Sequence, residues 1–237
     1  MDEKEKRPAA GRPFTSALTK GEAIAVLLYF PVHILLLPEL TYALVYNSII
    51  TGSMANLIYY AVGTLYMTAL CWGFLRRDYD TLCDRLWRVL IVIFASYALL
   101  LCFNFVVGAL LMLFPDFANP NNQAVVGAAE EDYGPMAAAA IFLAPIVEEM
   151  LFRAGLFGLI RRKSRVLAYV ASMLLFSVYH IYGYGVSAPM YLLLILQYLP
   201  VSWLLCYCYE RTNTIWGNIF LHMLINAVSM NVLTQLG

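Results

Sequence analysis

The residues of this sequence that can do chemistry fall in three apolar stretches, at four-residue spacing. Ala144-Pro-Ile-Val-Glu148-Glu149-Met-Leu-Phe-Arg153 sets two carboxylates and a guanidinium inside one apolar run. Phe176 and His180 share a helix face in a second run, and His222 and Asn226 share one in a third. Left unpaired in a bilayer, the three charges of the first run would cost roughly 8–10 kcal/mol. Glu149 precedes Arg153 by one helical turn, with the acid nearer the N-terminus, so the two can pair on one face. Glu148 then points about 100° away with no cation on its own helix. A buried carboxylate without a counter-charge is suited to act as a general base, with imidazoles and a carboxamide beside it to hold water or stabilise an oxyanion.

These groups need elements to position them, and the composition says what kind. The chain has 237 residues, 62% of them hydrophobic and only 13% charged, with a mean hydropathy of +0.72. That is too apolar for a water-soluble domain, where charged residues approach a quarter. The expected fold class is all-α, a multi-pass transmembrane bundle of about seven spans. The gaps between charges place these spans at 22–47, 50–75, 86–114, 135–160, 166–184, 189–209 and 213–236. Fifteen Lys and Arg balance fifteen Asp and Glu, which leaves no basic face for nucleic acid.

The distribution of the charges sets the topology. Starting from a cytoplasmic N-terminus, alternate segments carry Lys4, Lys6, Arg7, Arg12 and Lys20, then Arg76, Arg77, Arg85 and Arg88, then Arg161, Arg162, Lys163 and Arg165, then Arg211. The intervening loops, including the acidic stretch 115–134, hold no Lys or Arg. This is the inside-positive pattern of an N-in, C-out protein whose basic clusters also meet anionic lipid headgroups. The organisation expected is a basic cytoplasmic tail at 1–20, three spans and an outer acidic loop at 21–134, and a four-span core at 135–237 that carries the chemistry.

Local signals support the division. Thr19 and Glu22 have capping-box spacing before the first span, and Thr81 with Asp84 has a similar spacing before the third. Pro135 and Pro189 suit first turns, Ser187 suits a cap, and Pro31 and Pro38 predict a kink or a break in the first span. His33, without a polar companion one turn away, reads as a packed core histidine. Cys71, Cys83, Cys102, Cys206 and Cys208 show no metal-binding spacing and read as reduced thiols. An aspartyl site would need paired intramembrane Asp, and a serine site a nucleophile on a helix; the sequence offers neither.

Glu148-Glu149-x-x-x-Arg153, Phe176-x-x-x-His180 and His222-x-x-x-Asn226, in that order on successive apolar segments, resemble the CAAX protease and bacteriocin-processing family of intramembrane endopeptidases, which includes the Ras-converting CAAX endopeptidase. The resemblance covers roughly residues 135 to 230. It implies hydrolysis of a peptide bond in a membrane-associated peptide or protein, prenylated in the eukaryotic case, by a water that the first Glu activates. Carried over, Glu148 is the base, His180 holds the water, Glu149 and Arg153 brace the site, and His222 and Asn226 donate to the oxyanion. The membrane would be the plasma membrane in a prokaryote and the endoplasmic reticulum in a eukaryote.

Three other readings compete. Glu148, His180 and His222 form a set of three zinc ligands, with Glu149 as base, although the His-Glu-x-x-His pairing of other intramembrane metalloproteases is absent. The expectation is a metal-free site without a bound cofactor. A non-catalytic immunity or scaffold protein would keep the polar set only for assembly, and a proton-coupled carrier would use it as a relay. Substrate access is expected from the inner side or laterally from lipid, because the basic loops flank the fourth, fifth and seventh spans.

Overall fold

The computed structural model describes residues 14–236, and the basic tail residues Lys4, Lys6, Arg7 and Arg12 lie outside them. Helix α1 (Lys20–Tyr46) opens with the anticipated capping box: Thr19 Oγ1 accepts the Glu22 N–H at 3.2 Å, and Glu22 Oε2 accepts the Thr19 N–H at 2.8 Å. Pro31 does not break this helix. Nor does Pro38, whose missing N–H is accommodated by the widened π-helical turn over Val32–Leu36 just before it, with the Ile34 carbonyl accepting from Tyr182 Oη at 2.9 Å, so the first span is one continuous helix.

Helix α2 (Gly52–Leu70), capped by Thr51, stops short of the expected 50–75, and the chain bends by 85° into α3 (Trp72–Asp84). Phe74, Leu75, Asp78 and Leu82 make the buried face of α3, while Arg76, Arg77, Asp80 and Asp84 face out. That pattern fits a helix lying along the membrane surface. Thr81 and Asp84 do not cap the third span as expected. Both belong to α3, with Thr81 donating back to the Arg77 carbonyl, and α4 (Leu86–Leu111) starts behind Arg85 without a side-chain cap.

The acidic stretch 115–134 is not simply a loop. Residues Pro120–Glu131 form α5, whose N-cap Asn119 accepts the Asn122 N–H, and Glu131 accepts the Ser53 N–H at 3.0 Å and so ties α5 to the start of α2. Helix α6 (Tyr133–Arg161) follows, then α7 (Arg165–Tyr179), α8 (Ala188–Thr212) and α9 (Ile215–Leu236). At 15 residues, or about 22 Å at the α-helical rise, α7 is shorter than the expected fifth span. Among the described residues, five helices are long and apolar enough to cross a membrane, and α2 with α3 adds a sixth if the bent pair is one span. Ser187 stands at the N-cap of α8 with an extended backbone, but its hydroxyl makes no capping bond.

The molecule is an all-helical membrane bundle with α6 at its centre. Of the apolar window of α6, 56% is buried, against 22% for α1 and α4. Two glycines let neighbours approach: a Cβ at Gly155 would stand 3.0 Å from Val26 of α1, and Val147 of α6 would stand 2.9 Å from one at Gly63 of α2. Helix α6 widens twice into π-helix, at Ala138–Leu143 just before Pro145, and at Met150–Phe157 just after the two glutamates. The first widening removes the demand for an N–H that Pro145 lacks.

At the basic end, Glu210 of α8 binds Arg161 and Arg165 at 2.9 and 2.7 Å. The segment before α1 is fastened there too, with Thr15 and Ser16 donating backbone N–H groups to Asn213 Oδ1 and Ser16 bonding Asp78. All five cysteines are free, and Cys71, Cys206 and Cys208 are buried.

Candidate active site

Three helices bring the anticipated residues together in the bundle interior. Glu148, Glu149 and Arg153 come from α6, His180 from the C-terminal end of α7, and His222 and Asn226 from α9. The two glutamates differ in how fully they are engaged. Glu149, with no exposed surface, accepts from three side chains: Arg153 Nη1 at 3.1 Å, His222 Nδ1 at 2.7 Å and the Asn218 amide. Arg153 is equally buried, donates through Nη2 to the Ser202 hydroxyl at 3.1 Å and carbonyl at 3.3 Å, and lies over the Phe176 ring at 4.3 Å. Glu149 and Arg153 are therefore each committed to partners, as buried charges must be.

Glu148 is not. Its Oε1 accepts one hydrogen bond, from Tyr60 Oη of α2 at 3.2 Å, and its buried Oε2 has no partner. That oxygen faces His180 Nε2 at 3.6 Å and His222 Nε2 at 3.7 Å. Both separations are too long for a direct hydrogen bond and suit a single bridging water.

The other nitrogen of each ring fixes its proton. His180 Nδ1 lies 2.9 Å from the Phe176 carbonyl, an acceptor only, so Nδ1 carries the hydrogen. His222 Nδ1 likewise points at a carboxylate. In the neutral rings, Nε2 of both histidines is therefore a bare acceptor turned toward Glu148; only an imidazolium carries a hydrogen there. Asn226 donates one amide hydrogen to the Ala140 carbonyl at 2.8 Å, within the first π-helical turn of α6, and keeps the other.

These groups line a cavity of about 590 Å³. Its walls come from the half of each helix that lies away from the basic ends: α4 from Tyr97 onward, α6 up to Glu148, α9 from His222 onward, and α5 with Asn119 at the mouth. The basic loops, from which entry on the inner side or laterally from lipid was expected, lie at the other end of the helices from this cavity. Asn119 holds Gln197 at 2.7 Å and Tyr198 at 3.1 Å across the mouth, and the Tyr198 ring packs tilted against His180 with ring centroids 4.8 Å apart. Among the described residues, no group of three His, Cys, Asp or Glu side chains is arranged to hold a metal ion.

Several of these contacts were not foreseen in the sequence. Asn218 stands one turn before His222 on the same stripe of α9 and was open to discovery by that spacing. Tyr60 carried no signal, because it reaches Glu148 from a helix remote in sequence. Behind it, Tyr179 Oη lies 3.3 Å from Tyr60 Oη and 3.0 Å from His33 Nε2, while the His33 ring stacks on Tyr59. His33 is the buried, hydrogen-bonded core histidine expected of it.

A helical membrane protein with a paired-glutamate and imidazole cluster opening into an internal cavity is the class these observations define. Residues 131–228 match a family model described as type II CAAX prenyl endopeptidase Rce1-like. The match runs from the end of α5 through most of α9 and supports the resemblance to the CAAX protease and bacteriocin-processing family. No curated protein gives a significant match to the chain. No solved structure does so either.

Proposed function

We propose that the chain is an intramembrane endopeptidase in which Glu148 activates a water to cleave a peptide bond of a membrane-associated substrate, either a CAAX-type C-terminus or the leader of a longer peptide. The observation that carries this is the contrast between the two glutamates. Glu149 has three donors, whereas Glu148 leaves Oε2 unpartnered between two imidazole Nε2 atoms at the cavity wall.

A water bridging Glu148 Oε2 and the Nε2 atoms can pass one proton to the carboxylate as its oxygen attacks the scissile carbonyl. The resulting oxyanion has Asn226's remaining amide hydrogen within the same cavity, and an imidazolium Nε2–H of His222 or His180 when either ring is protonated. Collapse of the tetrahedral intermediate returns the proton from Glu148 to the departing amine, so the carboxylate is regenerated. Arg153 and Glu149 take no part in proton transfer; they hold His222 and the α6 backbone in place.

We favour this metal-free course over a zinc site built on Glu148, His180 and His222. In the zinc version Glu149 would be the base, yet its oxygens already accept from Arg153, His222 and Asn218. The deciding experiment is cleavage of a quenched-fluorescent prenylated CAAX peptide and of leader-bearing peptides by detergent-purified protein and its Glu148→Gln variant. We place the protein in the plasma membrane of a prokaryotic host or the endoplasmic reticulum of a eukaryotic one.

A further inference from the structure

His33 has no exposed surface and its ring stacks on Tyr59, a place that a phenyl ring would fill as well. Burying an imidazole there carries a desolvation cost that hydrogen bonding must offset. Only one of its nitrogens is bonded: Nε2 lies 3.0 Å from Tyr179 Oη, whereas Nδ1 is buried without a partner among the described residues. From Tyr179 the contacts run on to Tyr60 Oη at 3.3 Å, and from Tyr60 to Glu148 Oε1 at 3.2 Å. Side chains of α1, α7, α2 and α6 thus form one line that ends on the candidate base.

The direction of each bond follows from counting hydrogens. An ionised carboxylate only accepts, so the single hydroxyl hydrogen of Tyr60 is spent on Glu148. Tyr60 Oη then accepts from Tyr179, whose own single hydrogen is thereby spent. Tyr179 Oη must in turn accept from His33, which puts the hydrogen of the neutral ring on Nε2. The other tautomer would draw the Tyr179 hydrogen toward His33, leave two hydroxyl oxygens facing each other at 3.3 Å with no hydrogen between them, and bury an Nδ1–H with no acceptor. We propose that His33 is a positioning residue for the reaction: its Nε2–H orders the hydroxyls of Tyr179 and Tyr60 so that every hydrogen in the line points toward Glu148 Oε1. This rests on the reading of Glu148 as the base.

The consequence falls on the other oxygen of the carboxylate. With Oε1 held by a donor, the proton that Glu148 takes from water is directed to Oε2, which faces the two imidazoles and from which it can return to the departing amine. The backbone fixes His33 at the head of the line. It lies in the π-helical turn Val32–Leu36, whose Ile34 carbonyl accepts from Tyr182 Oη at 2.9 Å, so the segment after α7 secures the same turn of α1 that Tyr179, the last residue of α7, contacts. Both His33 and Tyr60 lie outside residues 131–228, so the site draws on helices beyond the segment that the family model matches.

The histidine tautomers test the line without turnover. Nitrogen NMR is recorded on detergent-purified protein with isotope-labelled histidine, and the signals lost in His180→Gln and in His222→Gln leave those of His33 by elimination. His33 should carry its hydrogen on Nε2, opposite to the Nδ1–H of His180 and His222; a hydrogen on Nδ1 of His33 overturns the proposal. Rates per folded molecule, with quenched-fluorescent prenylated CAAX and leader-bearing peptides, supply the second readout. His33→Phe keeps a stacking ring and should lower kcat roughly 2–10-fold, the worth of one neutral hydrogen bond, at nearly constant KM. His33→Gln, whose amide nitrogen reaches the Nε2 position and can donate, should regain most of that loss. In a Tyr60→Phe background, His33→Phe should cost nothing further. An undiminished kcat for His33→Phe, equal losses for the Phe and Gln variants, or losses that add to that of Tyr60→Phe overturn the proposal. Should His33→Phe not fold, the tautomer decides, since that measurement needs no substitution at position 33. If neither peptide is cleaved by the unsubstituted protein while His33 carries Nε2–H, the protease reading alone is overturned.

Discussion

His222 Nδ1 and Glu149 Oε1 stand 2.7 Å apart, so the ring that presents Nε2 to Glu148 is aimed by the other glutamate of the pair. The adjacent carboxylates thus divide the work, one orienting and one facing the cavity. Removal of the orienting one is expected to be felt first in stability. Glu149→Ala leaves the fully buried Arg153 with Ser202 as its remaining hydrogen-bond partner, and breaking a buried pair on one side costs about 3–5 kcal/mol. The measurement is the melting temperature in detergent. It should fall steeply for Glu149→Ala and less for Glu149→Gln, which keeps an acceptor for Arg153. An unchanged melting temperature for the alanine variant would show that the pair does not brace the bundle.

Glu148→Gln should behave in the opposite way. Its Oε2 has no partner to lose, and exchanging a buried carboxylate for an amide removes a desolvated charge. The melting temperature should hold or rise while cleavage falls by roughly 10²–10⁴-fold, the loss typical of a missing general base. Glu148→Ala should lose activity as fully while still folding. Cleavage by either variant at the unsubstituted rate would sink the mechanism.

The metal question separates cleanly by chelation. If Glu148 works on water alone, protein stripped with a chelator and shown by elemental analysis to be free of zinc should cleave as fast as untreated protein. Stoichiometric zinc, whose removal abolishes cleavage and whose return restores it, would transfer the role to a metal held by Glu148, His180 and His222.

The polar triad of helices was legible because charges are rare and expensive in apolar runs. Glu148, Glu149 and Arg153 stood out for that reason, and the four-residue stripes of His180 and His222 gave faces that do meet in the bundle. Orientation at the base of the bundle was less legible. Asp78 sits in a segment that reads as a charged loop, yet it is 1% exposed, accepts from Ser16 and from the Ile215 N–H at 2.8 Å, and so joins the strap before α1 to the start of α9. Nothing in local spacing marks such a contact, since its partners are dozens of residues away. The same holds for α5, whose acidic composition hid a helix, and for the 85° bend after Leu70.

Asp78→Ala should therefore destabilise the protein without touching the chemistry. It strands one buried donor, the Ile215 N–H, at about 1–3 kcal/mol, while the Ser16 hydroxyl keeps Tyr209 Oη at 3.1 Å. The expected signature is a lowered melting temperature with the rate per folded molecule retained. A rate loss at full stability would instead place Asp78 in communication with the cavity.

Tyr60 supplies the one hydrogen bond that Glu148 receives, and it does so from α2, outside the segment that matches the protease family. A bond to a charged acceptor is worth about 1.5–3 kcal/mol, so Tyr60→Phe should slow cleavage by roughly 10–100-fold if the bond holds Glu148 in its reactive position. Behind Tyr60, the chain through Tyr179 to His33 can only act by holding the Tyr60 hydroxyl, since neither Tyr179 nor His33 makes a hydrogen bond to Glu148. Tyr179→Phe should accordingly cost less than Tyr60→Phe, and the double variant should cost no more than Tyr60→Phe alone, because the second bond matters only through the first. Additive losses would mean that Tyr179 serves the site by another route, through its ring against Phe152 and His180. The comparison is made at matched folded fraction, with initial rates at saturating and at low peptide. Positioning of the base predicts a fall in kcat at nearly constant KM, whereas a collapsed cavity would raise KM.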